Sequence, residues 1–225
     1  MSVQIHPDDE YALENEGEYG KNEMWYVVDS EPGSYLYCGL KKNTDKEEIE
    51  RRIADNTITD ILNKIEVKKG DVVKAGTIHA IGAGIIICEI QQNSNCTYRM
   101  YDYDRRDKYG NPRELHVKKA LDVVDTKAYV KDNTTEVMLE ENEHYSLERL
   151  VQCKYFECLK YEIKDEVKIV ADESSFVSLV FIEGSGTIEA DDYKQEVPFK
   201  AGESFFVSSG KRSINIKGKG IVTHV

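Results

Sequence analysis

The chain has 225 residues, with 30 lysines and arginines against 42 aspartates and glutamates, a net charge of −12. That acidic surplus argues against general affinity for nucleic acid or for an anionic membrane surface, and the length suffices for one large or two small domains with a substantial core. The five cysteines, Cys38, Cys88, Cys96, Cys153 and Cys158, are odd in number, lie in strand-like apolar runs and form no close CxxC pair. A reduced cytoplasmic chain with buried thiols fits them best, and with no leader-like segment and no apolar run near the ~20 residues that cross a bilayer, the expectation is a soluble protein.

At the start of the chain Gln4 and His6 stand two apart. Successive side chains of a strand point to opposite faces, so both project from one side while Ile5 faces the other. Glu23 opens the apolar run Met24-Trp25-Tyr26-Val27-Val28, where an ionised carboxylate is costly unless it is paired or bound to a metal. Period-two segments rich in β-branched and aromatic residues recur at 24–28, 34–40, 85–91, 98–103, 156–163, 176–182, 204–207 and 221–225, separated by Gly, Pro, Asn and Asp clusters. Short strands with frequent turns predict antiparallel sheets folded into sandwiches or a barrel. One helix interrupts them: over 45–54, Asp45, Glu47 and Glu48 precede Arg51 and Arg52, suiting the helix dipole, while Ile49 and Ile53 share a face. A further helical turn is expected over 59–64, with Glu66 back in a strand.

The polar stretch 125–143 has few large apolar residues outside Val137 to Leu139 and reads as a linker with one strand inside. Beyond it, Phe181 to Gly186 followed by Ala201 to Val207 repeats the strand, Gly-plus-acid, strand pattern of Lys69-Gly70-Asp71-Val72-Val73, which predicts a second, related β-sandwich. The loop after Val207, Ser208-Ser209-Gly210-Lys211, carries no histidine, so this second unit is expected to be structural. The expected organisation is a first unit over 1–125 with a helical insertion at about 45–64, a linker over 126–143 and a second unit over 144–225.

Gln4, His6 and Glu23, with His79 at the end of Ala75-Gly76-Thr77-Ile78, make one ligand set. Two imidazoles, a carboxylate and an amide oxygen form a borderline-hard site, better suited to Zn²⁺ than to a thiolate-loving metal, with room left for water or substrate. His116, His144 and His224 lack such neighbours and read as packed or solvent-facing residues. Arg99 and Arg105 flank Tyr101-Asp102-Tyr103-Asp104, where a surface ladder of ion pairs is the alternative to a role in a site. Lys21 follows Gly20 in a turn and could equally be solvated charge.

Ser2-Val3-Gln4-Ile5-His6-Pro7-Asp8-Asp9, Gly20-Lys21-Asn22-Glu23-Met24-Trp25-Tyr26, Ala75 to Gly82, and Glu89 to Ser94 running into Thr97 to Arg105 resemble, in family order, the type I mannose-6-phosphate isomerases, and in particular their short bacterial members. The resemblance implies two cupin-type jelly-roll sandwiches and one zinc ion per chain, held by Gln4, His6, Glu23 and His79. It implies that Arg99 lies beside the reacting carbons, that Glu89 lines the same pocket, that Ser2 and Lys21 face a hexose 6-phosphate, and that Arg105 meets its phosphate. It also implies that the family's opening segment is missing here, which would impair activity or expose sheet edges through which copies of the chain associate. The loop before His79 is about two residues shorter than in relatives, with Lys74 in the place of a proline, and a change of two keeps each side chain on its face. The implied reaction interconverts mannose 6-phosphate and fructose 6-phosphate by proton transfer through a cis-enediol. A binding module that holds metal and sugar phosphate without turnover is the alternative, and an iron-dependent oxygenase is disfavoured because Gln4 and Arg99 have no role in it.

Overall fold

The computed structural model describes residues 1–131, 136–191 and 193–225. The chain divides into two compact units, Met1–Lys131 and Asp132–Val225. In the first, β1 (Val3–Ile5), α1 (Asp9–Asn15), β2 (Glu23–Ser30), β3 (Tyr35–Leu40), α2 (Lys46–Ala54), β4 (Leu62–Glu66), β5 (Val72–Lys74), β6 (His79–Ile81), β7 (Ile85–Gln91), β8 (Tyr98–Tyr101) and α3 (Val117–Val123) follow one another. They form two antiparallel sheets, one in the order β4-β3-β6-β1-β8 and one in the order β5-β2-β7.

Alternation along the strands decides which side chains meet. Trp25 and Val27 of β2 and Val73 of β5 share a buried cluster with Leu36 and Cys38 of β3, so the two sheets face one another. Val3, Ile5, Ala80, Tyr98 and Met100 point the other way and pack with Ala12 of α1, Ile49 and Ile53 of α2 and Ala120 of α3. The five-stranded sheet is therefore covered by helices on one side and by the second sheet on the other.

α2 lies where the charge pattern predicts it, capped by the Asp45 carboxylate, which accepts the Glu48 N–H at 2.7 Å. The helical turn expected over 59–64 is not there. A single 3₁₀ turn occupies Ile58–Asp60, and Leu62–Glu66 pairs with β3, Ile65 opposite Leu36 and Lys64 opposite Tyr37. Ladder bonds and burial of Leu62 override local helix preference there. The strand expected over 98–103 stops at Tyr101, because Tyr103 and Asp104 take φ of 55° and 51° and turn the chain.

The second unit contains β9 (Val137–Glu141), β10 (Tyr145–Gln152), β11 (Glu157–Ile163), β12 (Glu166–Ala171), β13 (Val177–Ala190), β14 (Tyr193–Lys200), β15 (Ser204–Val207) and β16 (Arg212–His224). Its strand order is β14-β13-β16-β11-β10-β9, with β12 also on β16 and β15 on β13. Of the stretch read as a linker, Thr126 and Tyr129 bond to Thr44 and Leu40 of the first unit, while β9 pairs with β10. β16 passes one edge from β12 to β11 at Gly218-Lys219-Gly220, opposite Gly186 and Gly184 of β13. A Cβ on Gly184 would stand 1.8 Å from the Lys219 carbonyl oxygen, so this crease requires glycine. The architecture is mainly β, two cupin-type sandwiches with a short helical insertion in the first. No helix among the described residues is long and apolar enough to cross a membrane.

Candidate metal centre

Three strand registers converge between the sheets of the first unit. Gln4 of β1 stands opposite His79 of β6 on one side and Arg99 of β8 on the other. Residues directly opposite in adjacent strands share a face. His6 follows β1 on the face of Gln4, and Glu23 comes from β2 of the facing sheet. The Glu23 and His79 side chains are wholly buried, and that of His6 is 2 % exposed.

Each imidazole is aimed by a backbone carbonyl. Nδ1 of His6 lies 2.8 Å from the Cys96 oxygen and Nδ1 of His79 lies 2.7 Å from the Thr77 oxygen. A carbonyl only accepts, so each Nδ1 carries the proton and each Nε2 presents a lone pair. Those lone pairs face one carboxylate: His79 Nε2 is 3.1 Å from Glu23 Oε1 and His6 Nε2 is 3.5 Å from Glu23 Oε2. Trp25 closes the back of the site with its ring edge-on to His79 at 5.1 Å.

Burial pushes the His79 pKa down to about 4, so the ring is neutral near pH 7. Burial also acts on Glu23, in the sense that would raise its pKa. The imidazoles of His6 and His79, in their protonated forms, and the hydrogen bond from Lys21 outweigh it and hold the carboxyl at about 2. Lys21 Nζ is 2.9 Å from Glu23 Oε2 and 3.3 Å from Glu89 Oε1, bridging two carboxylates with its side chain 10 % exposed.

The donor set fits a divalent metal. Among the described residues, Nε2 of His6, Nε2 of His79 and Glu23 Oε1 are buried without a hydrogen-bond partner, Glu23 Oε2 is met by the Lys21 ammonium, and one ligand atom from each of the three residues lies within 4.8 Å of the others. Two lone pairs and an anion converge there, an arrangement that is costly unless a cation lies among them. The tetrahedral edge for bonds of ~2.1 Å is about 3.4 Å, close to the two measured separations. Among the described residues this is the one His/Cys/Asp/Glu group so arranged, and none lies in the second unit.

The remaining candidates stand at graded distance. The Ser2 hydroxyl donates to Gln4 Oε1 at 3.2 Å, and both residues are buried. Glu89 of β7 is opposite Trp25 of β2 and therefore on the face of Glu23, at the more exposed end of the site. Arg99 lies on the Gln4 face, its guanidinium donating to the Glu114 carbonyl at 2.7 Å. Arg105 is paired with Asp102, which Arg113 also holds. It is the one candidate drawn into a surface ion-pair cluster. A cleft of about 380 Å³ opens along His6, Asp8, Tyr11, Lys21, Gly76 and Asp122.

The residues that brace this cluster were missed in the sequence. Gln92 Oε1 accepts the backbone N–H of Asn22 at 2.8 Å, and its Nε2 donates to Asp9 Oδ1, which also takes the Gly20 N–H at 3.0 Å. This clamp fastens the segment bearing Lys21 and Glu23 to the segment after His6. The polar break at Gln92-Asn93 after an apolar strand is the signal that marks it. Gly20 is obligatory because a Cβ there would lie 2.4 Å from the Asp8 carbonyl carbon.

Two imidazoles and a carboxylate held between the sheets of a jelly roll define a metal-centre cupin. Residues 146–225 match the mannose-6-phosphate isomerase cupin domain. Over 230 aligned residues the sequence is 36 % identical to mannose-6-phosphate isomerase ManA of Bacillus subtilis (strain 168), covering 100 % of this chain and 71 % of that protein. It is 48 % identical over 126 residues to a mannose-6-phosphate isomerase of Streptococcus mutans, covering 55 % of this chain and 40 % of that protein. The crystal structure of a mannose 6-phosphate isomerase from Bacillus subtilis superposes with a TM-score of 0.89 at 36 % identity, covering 99 % of this chain and 70 % of that one. The chain belongs to the mannose-6-phosphate isomerase family.

Proposed function

We propose that this protein interconverts mannose 6-phosphate and fructose 6-phosphate, with one Zn²⁺ per chain held by His6, Glu23, His79 and Gln4. The observation that carries the reading is the pair of buried Nε2 lone pairs, without hydrogen-bond partners among the described residues, that converge on the Glu23 carboxylate. Two nitrogens and two oxygens suit zinc, which when bound supplies Lewis acidity toward the sugar oxygens and fixes their position.

The reaction moves a proton between C1 and C2 through a cis-enediol, with negative charge growing on oxygen. Glu89 is the proton carrier: it shares the face of Glu23, reaches the open end of the site, and is held 3.3 Å from Lys21. His79 cannot serve, because its free nitrogen belongs to the ligand set. Arg99 is cationic at every relevant pH and stabilises the developing enediolate from the Gln4 face. Lys21 and the Ser2 hydroxyl orient the sugar. With a net charge of −12 the chain repels a sugar phosphate at long range, so Arg105, about half exposed beside Asp102, acts on the phosphate only at close approach.

The test is an assay coupled to fructose 6-phosphate with zinc supplied, repeated on His79→Ala. Turnover in the parent and a loss of at least about 100-fold in the variant is the expected result. Equal rates in both remove the metal from the mechanism.

A further inference from the structure

β8 ends its sheet, so its outer edge offers unpaired backbone groups. The segment just before α3 covers that edge at Arg99. His116 N–H donates to the Arg99 carbonyl at 2.8 Å, the Arg99 N–H donates to Nδ1 of the His116 ring at 3.1 Å, and the Arg99 guanidinium donates to the Glu114 carbonyl at 2.7 Å. A side-chain nitrogen thus stands where a neighbouring strand would supply a carbonyl. Arg99 Nε is buried without a partner among the described residues, so the hold on this side chain comes from segment 114–116. His116 is itself anchored, since its carbonyl accepts the Ala120 N–H at 2.9 Å and begins α3, which packs on the five-stranded sheet through Ala120.

We propose that His116 is a positioning residue for the isomerisation. Its Nδ1 and its backbone N–H fix the Arg99 backbone, and the carbonyl two residues earlier then sets the direction of the guanidinium. The inference rests on the reading of Arg99 as the group that meets the developing enediolate. Nδ1 accepts a hydrogen bond here, so the ring carries its proton on Nε2. Histidine is specified over an aromatic because the site requires an acceptor, and over a long amide because the acceptor must lie near the backbone. Asparagine places its Oδ1 where histidine places Nδ1.

The experiment has two arms on the full zinc-supplemented chain. Imidazole ¹⁵N spectra read the tautomer directly, and amide exchange reads the Arg99 N–H. The proposal expects the Nε2–H form, and an Arg99 amide that is slow in the parent and in H116N but at least about tenfold faster in H116F. An Nδ1–H ring, or unchanged exchange in H116F, overturns it. In the coupled assay H116F should lower kcat about 10- to 100-fold with KM moved less, the scale of a misplaced reacting group. H116N should stay within a few-fold of the parent, and H116F should add little once Arg99→Gln is present. Losses that multiply in the double variant overturn the role of His116 while leaving Arg99 in place. A fully active R99Q overturns the reading of Arg99 and this inference with it.

Discussion

Exchanging Glu23 for glutamine keeps the volume of the side chain and removes its charge, and the consequence can be worked from its surroundings. The carboxyl sits at about 2 rather than 4.5, burial opposing the ionised form and His6, His79 and Lys21 overcoming it. That depression corresponds to at most about 3 kcal/mol favouring the charged form, and at pH 7, where His79 is neutral, the part supplied by Lys21 remains. The side chain has no solvent exposure, so little of this is screened. Glutamine also leaves Lys21, 10 % exposed, with one carboxylate partner where it had two. The metal-free variant should therefore lose about 1–2 kcal/mol at pH 7, or ~2–8 °C in Tm. Because the folded pKa lies below the ordinary value, this contribution is complete above about pH 5 and drains away as pH falls through 4.5 toward 2. Urea unfolding of both proteins at pH 7 and pH 3 reads the difference. A gap that narrows at pH 3 supports the account; an equal gap at both, or none at pH 7, refutes it.

Gly20→Ala would thrust a Cβ to 2.4 Å from the Asp8 backbone, displacing Lys21 and Glu23. It should cost about 1–3 kcal/mol in melting experiments and weaken zinc binding at least about tenfold in a competition titration. Asp102 is held at about 2 by Arg113, against burial, and by Arg105, and both arginines are about half exposed. Allowing for that exposure, Asp102→Asn should cost about 1 kcal/mol at pH 7. The stabilisation belongs to the ionised form, present above about pH 4 and lost toward pH 2, so urea midpoints of parent and variant should converge there.

What the sequence made legible was whatever a strand's period or a cap makes local. Gln4 and His6 could be put on one face because alternation is a property of the backbone, and α2 could be located because Asp45 and the Glu48, Arg51 and Arg52 charges mark it. Residues 62–64 were misleading, read as the end of a helical turn, because nothing local in them tells of the β3 edge that they complete. α1 carried a readable cap, Asp8, whose carboxylate accepts the Tyr11 N–H at 2.9 Å, yet its seven residues offer little periodicity. The carbonyls of Thr77 and Cys96 that orient the two imidazoles carry no side-chain signal at all, since any residue supplies a carbonyl. The same holds for Glu114, while His116 looked like an isolated ring until β8 was seen to end its sheet.

The central claim is that His6, Glu23 and His79 share one ion. Elemental analysis of the chain equilibrated with zinc and freed of excess tests it most directly, with His79→Ala carried alongside. One zinc per parent chain and a near-empty variant are predicted. A parent without metal, or a variant that binds as much as the parent, contradicts the account.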